Sequence, residues 1–124
     1  MVTFWLLAAC SLGFLGVAFG AFGAHALKNV LDEYGRTIYD RAVSYQMFHA
    51  LALFGVGVIQ HLFRNRSFRL AGWGFLIGVV LFSGSLFGLA ITRHRWLGAI
   101  TPLGGCSLLF GWICFFTALV RGRV

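Results

Sequence analysis

The sequence predicts an all-α membrane protein, an up-down bundle of four transmembrane helices with a short amphipathic interfacial helix between helices 1 and 2. Its composition is the first observation: of 124 residues, 60% are hydrophobic and 10% are charged, whereas soluble domains are about 45–50% apolar and about 25% charged. The second is the placement of the charges, which lie between four long uncharged runs. The length fits a single domain covering 1–124.

The four uncharged runs predict the transmembrane helices. Each is longer than the ~20 residues that a helix needs to cross a ~30 Å hydrocarbon core. A helix is expected because a backbone in lipid must satisfy its own hydrogen bonds. We expect spans at about 2–24, 43–62, 70–91 and 97–120. The net charge of +7 falls in the loops, which favours contact with lipid headgroups over nucleic acid.

The polar segment between the first two spans predicts the interfacial helix, at about 28–41. Its apolar residues recur in steps of three or four, which places them on one helix face: Leu27, Val30, Leu31, Tyr34, Ile38 and Ala42. Gly35 marks a bend in this helix. Two interpretations stay open, a helix for docking or gating and a linker that covers the mouth of the bundle, and we favour the linker.

Glycine spacing predicts close helix packing. Three pairs of glycines are separated by three residues, at Gly16 and Gly20, Gly74 and Gly78, and Gly84 and Gly88. In lipid, helices associate by close van der Waals approach, which glycine permits because it lacks a side chain. These residues are predicted to pack helices within one chain, although the same motif also occurs in dimers, and the oligomeric state stays open.

Polar residues of the spans gather in one half of the predicted bundle. We call side A the face that holds the N-terminal end of the first helix and side B the opposite face. An up-down bundle places six polar residues in the half nearer side B: His25, Gln46, His49, Ser83, Ser85 and Thr101. His49 lies deepest, and an ionisable residue in a span normally faces the interior. We expect His49 to contact at least one of the other five.

Two interpretations of these residues remain open. They form either a polar pocket for an ion, proton or headgroup, or hydrogen bonds that hold the helices together, and we favour the second. A haem between His25 and His49 ranks below both, so no cofactor and no metal is expected.

All three acids, Asp32, Glu33 and Asp40, lie outside the spans, and no catalytic motif is present, so we do not expect an enzyme.

Four sequence blocks resemble a known family. They are Gly20–Leu27 (GAFGAHAL), Tyr45–Leu53 (YQMFHALAL), Leu81–Leu86 (LFSGSL) and Leu97–Gly105 (LGAITPLGG). In this order they are similar to the signature blocks of domain-of-unknown-function family 423, which contains small bacterial inner-membrane proteins and the vertebrate transmembrane protein 256. The resemblance implies a four-helix integral membrane protein and no established activity. The arginine-rich stretch 64–69 lies outside these blocks and is expected to vary.

Two classes of function follow from these observations. The first is a non-enzymatic accessory or scaffold protein that associates with another membrane protein or complex. The second is a protein that binds or transports a small solute, lipid or proton through the polar half. In both, the chain is integral to the plasma membrane, the bacterial inner membrane, with the lipid bilayer as its surroundings and both termini on one side.

We predict that side A is cytoplasmic. The ten basic residues divide equally between the faces, so the positive-inside rule does not decide; on side A are Arg64, Arg66, Arg69, Arg121 and Arg123, and on side B are Lys28, Arg36, Arg41, Arg93 and Arg95. The three acids of side B neutralise part of its charge. A fluorescent protein fused after Val124 should therefore fluoresce. An active alkaline phosphatase fused at the same point would reverse the assignment.

Overall fold

The computed structural model describes residues 2–122, which form four long α-helices. They are α1 (Val2–His25), α2 (Glu33–Leu62), α3 (Arg66–Thr92) and α4 (Thr101–Gly122), and a short 3-10 helix (Arg95–Ala99) precedes α4. Each long helix is apolar and long enough to span a membrane, the fourth when the 3-10 helix is included. The predicted class, an all-α bundle of four membrane-spanning helices, is confirmed. Arg123, counted above on side A, lies outside the described residues.

Capping residues set the ends of the two central helices. Asp32 accepts a hydrogen bond from the backbone N–H of Gly35 at 2.6 Å and caps α2, and Asn65 caps α3 by accepting from Ser67 at 2.9 Å. Such caps satisfy N–H groups that have no partner within the helix. α3 ends at Thr92 because the next residue, Arg93, has a φ of 62°, a left-handed conformation that terminates helices.

The separate interfacial helix predicted at 28–41 is wrong. Residues 26–30 form turns, and α2 begins at Glu33 and continues without a break to Leu62. The physical reason is that the Asp32 cap starts the helix and that residues 36–54 contain no glycine or proline to stop it. Gly35 causes no bend, because it lies buried in the first turn directly after the cap. The second half of the amphipathic pattern, from Tyr34, is therefore the first part of a long helix, whereas Leu27, Val30 and Leu31 precede that helix.

The fourth helix starts later than position 97, where the sequence placed it. Pro102 lacks an N–H, and its ring clashes with the carbonyl four residues earlier. A continuous α-helix through residues 97–101 would suffer that clash, whereas proline in the first turn is tolerated. Trp96 and Leu97 consequently lie in the 3-10 helix, and α4 begins at Thr101.

Two apolar clusters divide the core along the bundle axis. The larger one joins all four helices and contains Trp5, Ala9, Leu53, Val56, Ala71, Phe75, Val79, Leu108 and Cys114. The second lies toward side B, where the chain between α1 and α2 tucks Leu27 and Leu31 against α2 and α3. Ile38 and Ala42 are buried here as the periodicity predicts, but Val30 and Tyr34 are exposed. The connector thus covers one end of the bundle.

Glycines bring the helix backbones close together, most closely between α3 and α4. A Cβ added at Gly74 would lie 2.8 Å from the Cα of Gly111, and one at Gly78 would lie 2.5 Å from the Leu108 side chain. Gly16 approaches Met47, Gly20 approaches Val43 and Gly88 approaches Leu97. Gly84 differs from the other five: it is exposed, and no atom lies within 4 Å of its added Cβ.

Gly74→Ala and Gly84→Ala should therefore have different effects on stability. Alanine at Gly74 meets backbone atoms that cannot move aside, so we expect a loss of about 1–3 kcal/mol. Alanine at Gly84 meets open space and gains helix propensity, so we expect no loss and a gain of up to about 1 kcal/mol. Reversible unfolding in mixed micelles measures both. Equal losses would show that the close approach at Gly74 does not limit packing.

Candidate functional site

His49 of α2 forms the polar centre of the bundle. The side chain is 5% exposed. Its Nε2 accepts a hydrogen bond from the indole Nε1–H of Trp112 in α4 at 3.0 Å, and its Nδ1 lies 2.9 Å from the carbonyl oxygen of Tyr45. Since an indole N–H can only donate, Nε2 must accept and Nδ1 must carry the proton. Both nitrogens of a neutral imidazole are then satisfied.

Aromatic rings enclose this pair. The rings of Tyr45, Phe48, Phe75 and Trp112 have centroids between 5.4 and 6.0 Å from that of the imidazole. Phe75 also meets Trp112 edge to face, with centroids 4.8 Å apart. This arrangement fixes the ring of His49 and leaves it little room to change partners.

Gln46 and Ser83 connect α2 to its two neighbours. Gln46 donates from Nε2 to the carbonyl oxygen of Leu12 in α1 at 2.9 Å. Ser83 of α3 donates to the carbonyl oxygen of Ala42 at 2.8 Å. Both side chains are buried. Each therefore stabilises a helix pair and satisfies a polar group that would be costly in an apolar interior.

Ser85 and Thr101 connect α3 to the start of α4. Their hydroxyl oxygens are 2.6 Å apart, and Ser85 lies 2.9 Å from the carbonyl oxygen of Phe82. A second bond joins the same helices deeper in the bundle, where Ser107 donates to the carbonyl oxygen of Gly74 at 2.8 Å. This carbonyl is accessible because Gly74 brings the two backbones together.

The structure does not gather the six predicted polar residues into one cluster. His25 is exposed at the end of α1, where it lines a surface cavity with Lys28, Arg36 and Asp40. The hydrogen-bond partners of His49 are Trp112 and the carbonyl oxygen of Tyr45, and neither belongs to the other five predicted residues. Haem ligation by His49 does not fit either, since the Nε2 lone pair that iron would need already accepts from Trp112.

Sequence reasoning missed three of the residues that join helices, namely Trp112, Tyr39 and Ser107. Tyr39 is 3% exposed and donates its hydroxyl to the carbonyl oxygen of Phe19 in α1 at 2.5 Å. A signal for Tyr39 was available, since a buried phenol normally finds a hydrogen-bond partner, whereas Trp112 is 38% exposed and its spacing gave no such signal. Ser107 had no comparable signal, because its acceptor is a backbone carbonyl exposed by a glycine on another helix.

A groove beside His49 is open to the outside of the bundle. It has a volume of about 430 Å³ and lies between α2 and α4. Its lining is mainly apolar and includes Tyr45, His49, Phe82, Pro102 and Trp112. Among residues 2–122, no three His, Cys, Asp or Glu side chains lie close enough to hold a metal ion. A ligand in the groove would therefore contact aromatic side chains and one neutral imidazole.

Most of the chain matches a known protein family. Residues 19–105, which include both the His49 region and the serines of α3, match the family described as "Protein of unknown function (DUF423)". The chain belongs to the DUF423 family. The predicted resemblance is confirmed, and the family is one without an assigned function.

Several bacterial membrane proteins are similar to the chain over most of its length. A "UPF0382 membrane protein" of Staphylococcus haemolyticus is 44% identical over 106 residues, 86% of this chain and 84% of that one. A protein of the same name from Bacillus subtilis is 43% identical over 108 residues (86% and 88%), and one from Haemophilus influenzae is 43% identical over 101 residues (82% and 81%). No solved structure matches the chain.

Trp112→Phe should destabilise the bundle more than Trp73→Phe. The first change removes the only donor to Nε2 of His49 within residues 2–122, and a buried acceptor left without a partner costs about 1–3 kcal/mol. Trp73 is the matched control, because its ring is partly exposed and its indole N–H makes no hydrogen bond to residues 2–122. Unfolding in mixed micelles measures the difference. Equal losses would show that the ring alone matters.

The bond from Trp112 and the bond to the Tyr45 carbonyl oxygen favour the same tautomer of His49. The ¹⁵N chemical shifts of its ring should show a protonated Nδ1 and an unprotonated Nε2 in the native protein. In Trp112→Phe the Nδ1-protonated tautomer should persist, because the carbonyl oxygen of Tyr45 still accepts from Nδ1, whereas the ¹⁵N shift of Nε2 should change because its donor is lost. A protonated Nε2 in the native protein would mean that Trp112 is not the donor.

Proposed function

We propose that the protein is a non-enzymatic accessory or scaffold protein of a membrane complex. The observation that carries this proposal is the use of the intramembrane polar groups. Gln46, His49, Ser83 and Ser85 each hydrogen-bond another helix of the bundle, and Tyr39 and Ser107 do the same. Side chains held in this way are unsuited to move protons or to bind a polar substrate.

The outer surface of α1 supports association with another protein. Of its 24 residues, three are buried, namely Trp5, Ala9 and Gly16. Large apolar side chains such as Leu7, Phe14 and Val17 point away from the bundle and are more than half exposed. Since helices in lipid associate through van der Waals packing, a helix with so little cover in its own bundle offers a surface for a neighbouring helix.

The proposed location is the bacterial inner membrane, with the two ends of the chain on the cytoplasmic side. Four membrane-spanning helices, an even number, return the chain to the side where it began. The named relatives are membrane proteins of bacteria. Haemophilus has two membranes, and helical spans of this kind belong to the inner one, because closed β-barrels occupy the outer membrane.

One observation favours a second function, the binding of a lipid or small solute in the groove between α2 and α4. The groove holds about 430 Å³ and carries the imidazole of His49 at its wall. Gly105, which also lines it, allows a direct test, since Gly105→Leu would fill the space. A molecule that stays bound at fixed stoichiometry and is lost in Gly105→Leu would favour this function over the accessory role.

The accessory role predicts a protein neighbour of α1 at fixed stoichiometry. A photocrosslinking amino acid in place of Phe14 of α1 should give one discrete protein adduct in native membranes, identified by mass spectrometry. The same amino acid in place of Phe116, an equally exposed residue of α4, serves as the control and should give lipid adducts. Lipid adducts alone at both positions, with no protein retained in mild detergent, would contradict the proposal.

A further inference from the structure

A cavity of about 550 Å³ opens at the side-A end of the bundle. It lies where the turn between α2 and α3 faces the first residues of α1. The residues that matter are three arginines, a glutamine, a histidine and a threonine: Arg64, Arg66, Arg69, Gln60, His61 and Thr3. None of them belongs to the His49 centre, and the inference drawn from them is independent of the accessory role.

The cavity is strongly basic. The guanidinium groups of Arg64, Arg66 and Arg69 are charged at every physiological pH. The acids of the chain, Asp32, Glu33 and Asp40, are at the side-B end, across the ~30 Å hydrocarbon core. None of the three arginines forms an ion pair within residues 2–122, where Arg93 pairs with Asp32 at the other end. The positive end of the α3 helix dipole adds to this potential.

Gln60 gives independent evidence for a ligand. It is 7% exposed and lines the cavity, and its Oε1 is buried without a hydrogen-bond partner among residues 2–122. A buried acceptor without a partner costs about 1–3 kcal/mol. By contrast, the buried amide of Gln46 donates to Leu12. A hydroxyl donor from a ligand would complete the hydrogen bonding of Gln60.

We propose that this cavity binds the headgroup of an anionic phospholipid that carries a phosphodiester and a free hydroxyl, as phosphatidylglycerol does. The arginines donate hydrogen bonds to the phosphate oxygens, for which the planar guanidinium is well shaped. The headgroup hydroxyl donates to Gln60. The exposed apolar side chains of Phe4 and Leu62 adjoin lining residues in the sequence and lie along the path of the acyl chains.

A lipid fits better than soluble phosphate because of where the cavity lies. It sits at the ends of three membrane-spanning helices, α1, α2 and α3, where bilayer lipids are always present at high local concentration. The arginines are exposed, and such residues beside a span attract anionic lipid with about 1 kcal/mol each. A soluble anion would lack the contribution of the apolar residues next to the cavity.

The test measures lipid binding to the full chain in detergent by native mass spectrometry, with phosphatidylglycerol and phosphatidylcholine. The wild type should retain phosphatidylglycerol preferentially. Arg66→Gln and Arg69→Gln should each lower its affinity about fivefold, the equivalent of ~1 kcal/mol. Arg41→Gln, an exposed arginine at the side-B end of the bundle, is the matched control and should change the affinity less than twofold. Equal weakening by Arg41→Gln would indicate general attraction to charge and overturn the site.

Gln60→Leu separates the hydroxyl contact from the charge. The wild type should bind phosphatidylglycerol more tightly than phosphatidylmethanol, which has the same charge and no hydroxyl, and Gln60→Leu should bind both equally. Equal binding of the two lipids by the wild type would refute the role of Gln60. Displacement of the lipid by inorganic phosphate at equal concentration would assign the cavity to a soluble anion and overturn the lipid assignment. Melting midpoints without lipid that do not fall below that of the wild type confirm that the variants fold.

Discussion

The need to satisfy polar groups away from water governs how these four helices pack. In lipid there is no solvent to hydrogen-bond a side-chain hydroxyl, amide or imidazole, so each must find a partner within the protein. Gln46 finds its partner on α1, Ser83 finds its partner on α2, and His49 finds its partner on α4. Most of these acceptors are backbone carbonyls of a neighbouring helix. The bonds therefore form only at one rotation and one depth of each helix.

Glycine makes those partners reachable. Ser107 bonds the carbonyl of Gly74 because the backbones of α3 and α4 nearly touch there. Small residues and polar residues thus act together: the first permit the approach, and the second fix the register of the helices. The two buried polar atoms without partners within residues 2–122, Nε1 of Trp5 and Oε1 of Gln60, both lie in the side-A half, away from the concentration of these bonds.

The fold could be predicted from the sequence, whereas the hydrogen-bond partners could not. Each apolar run is long enough to cross the hydrocarbon core as a helix, and a helix satisfies the backbone hydrogen bonds in lipid. The fold class and the approximate spans could therefore be predicted. The start of α2 was missed because amphipathic periodicity continues from an exposed segment into a span without a signal at the boundary. The depths of Gln46, His49 and Ser83 followed from topology. The choice of Trp112 over Ser85 as partner of His49 depends on helix rotation, which sequence spacing on one helix does not determine.

The unbroken length of α2 has a mechanical consequence. Its 30 residues span about 45 Å at 1.5 Å per residue, more than the ~30 Å hydrocarbon core. The helix carries no internal proline and is held near its middle by Gln46 and His49. It therefore behaves as a stiff helix that pivots about the hydrogen bonds of Gln46 and His49 inside the membrane. Any tilt of this helix moves its side-B end, which carries Asp32 and Glu33, and its side-A end, which carries Gln60, in opposite directions.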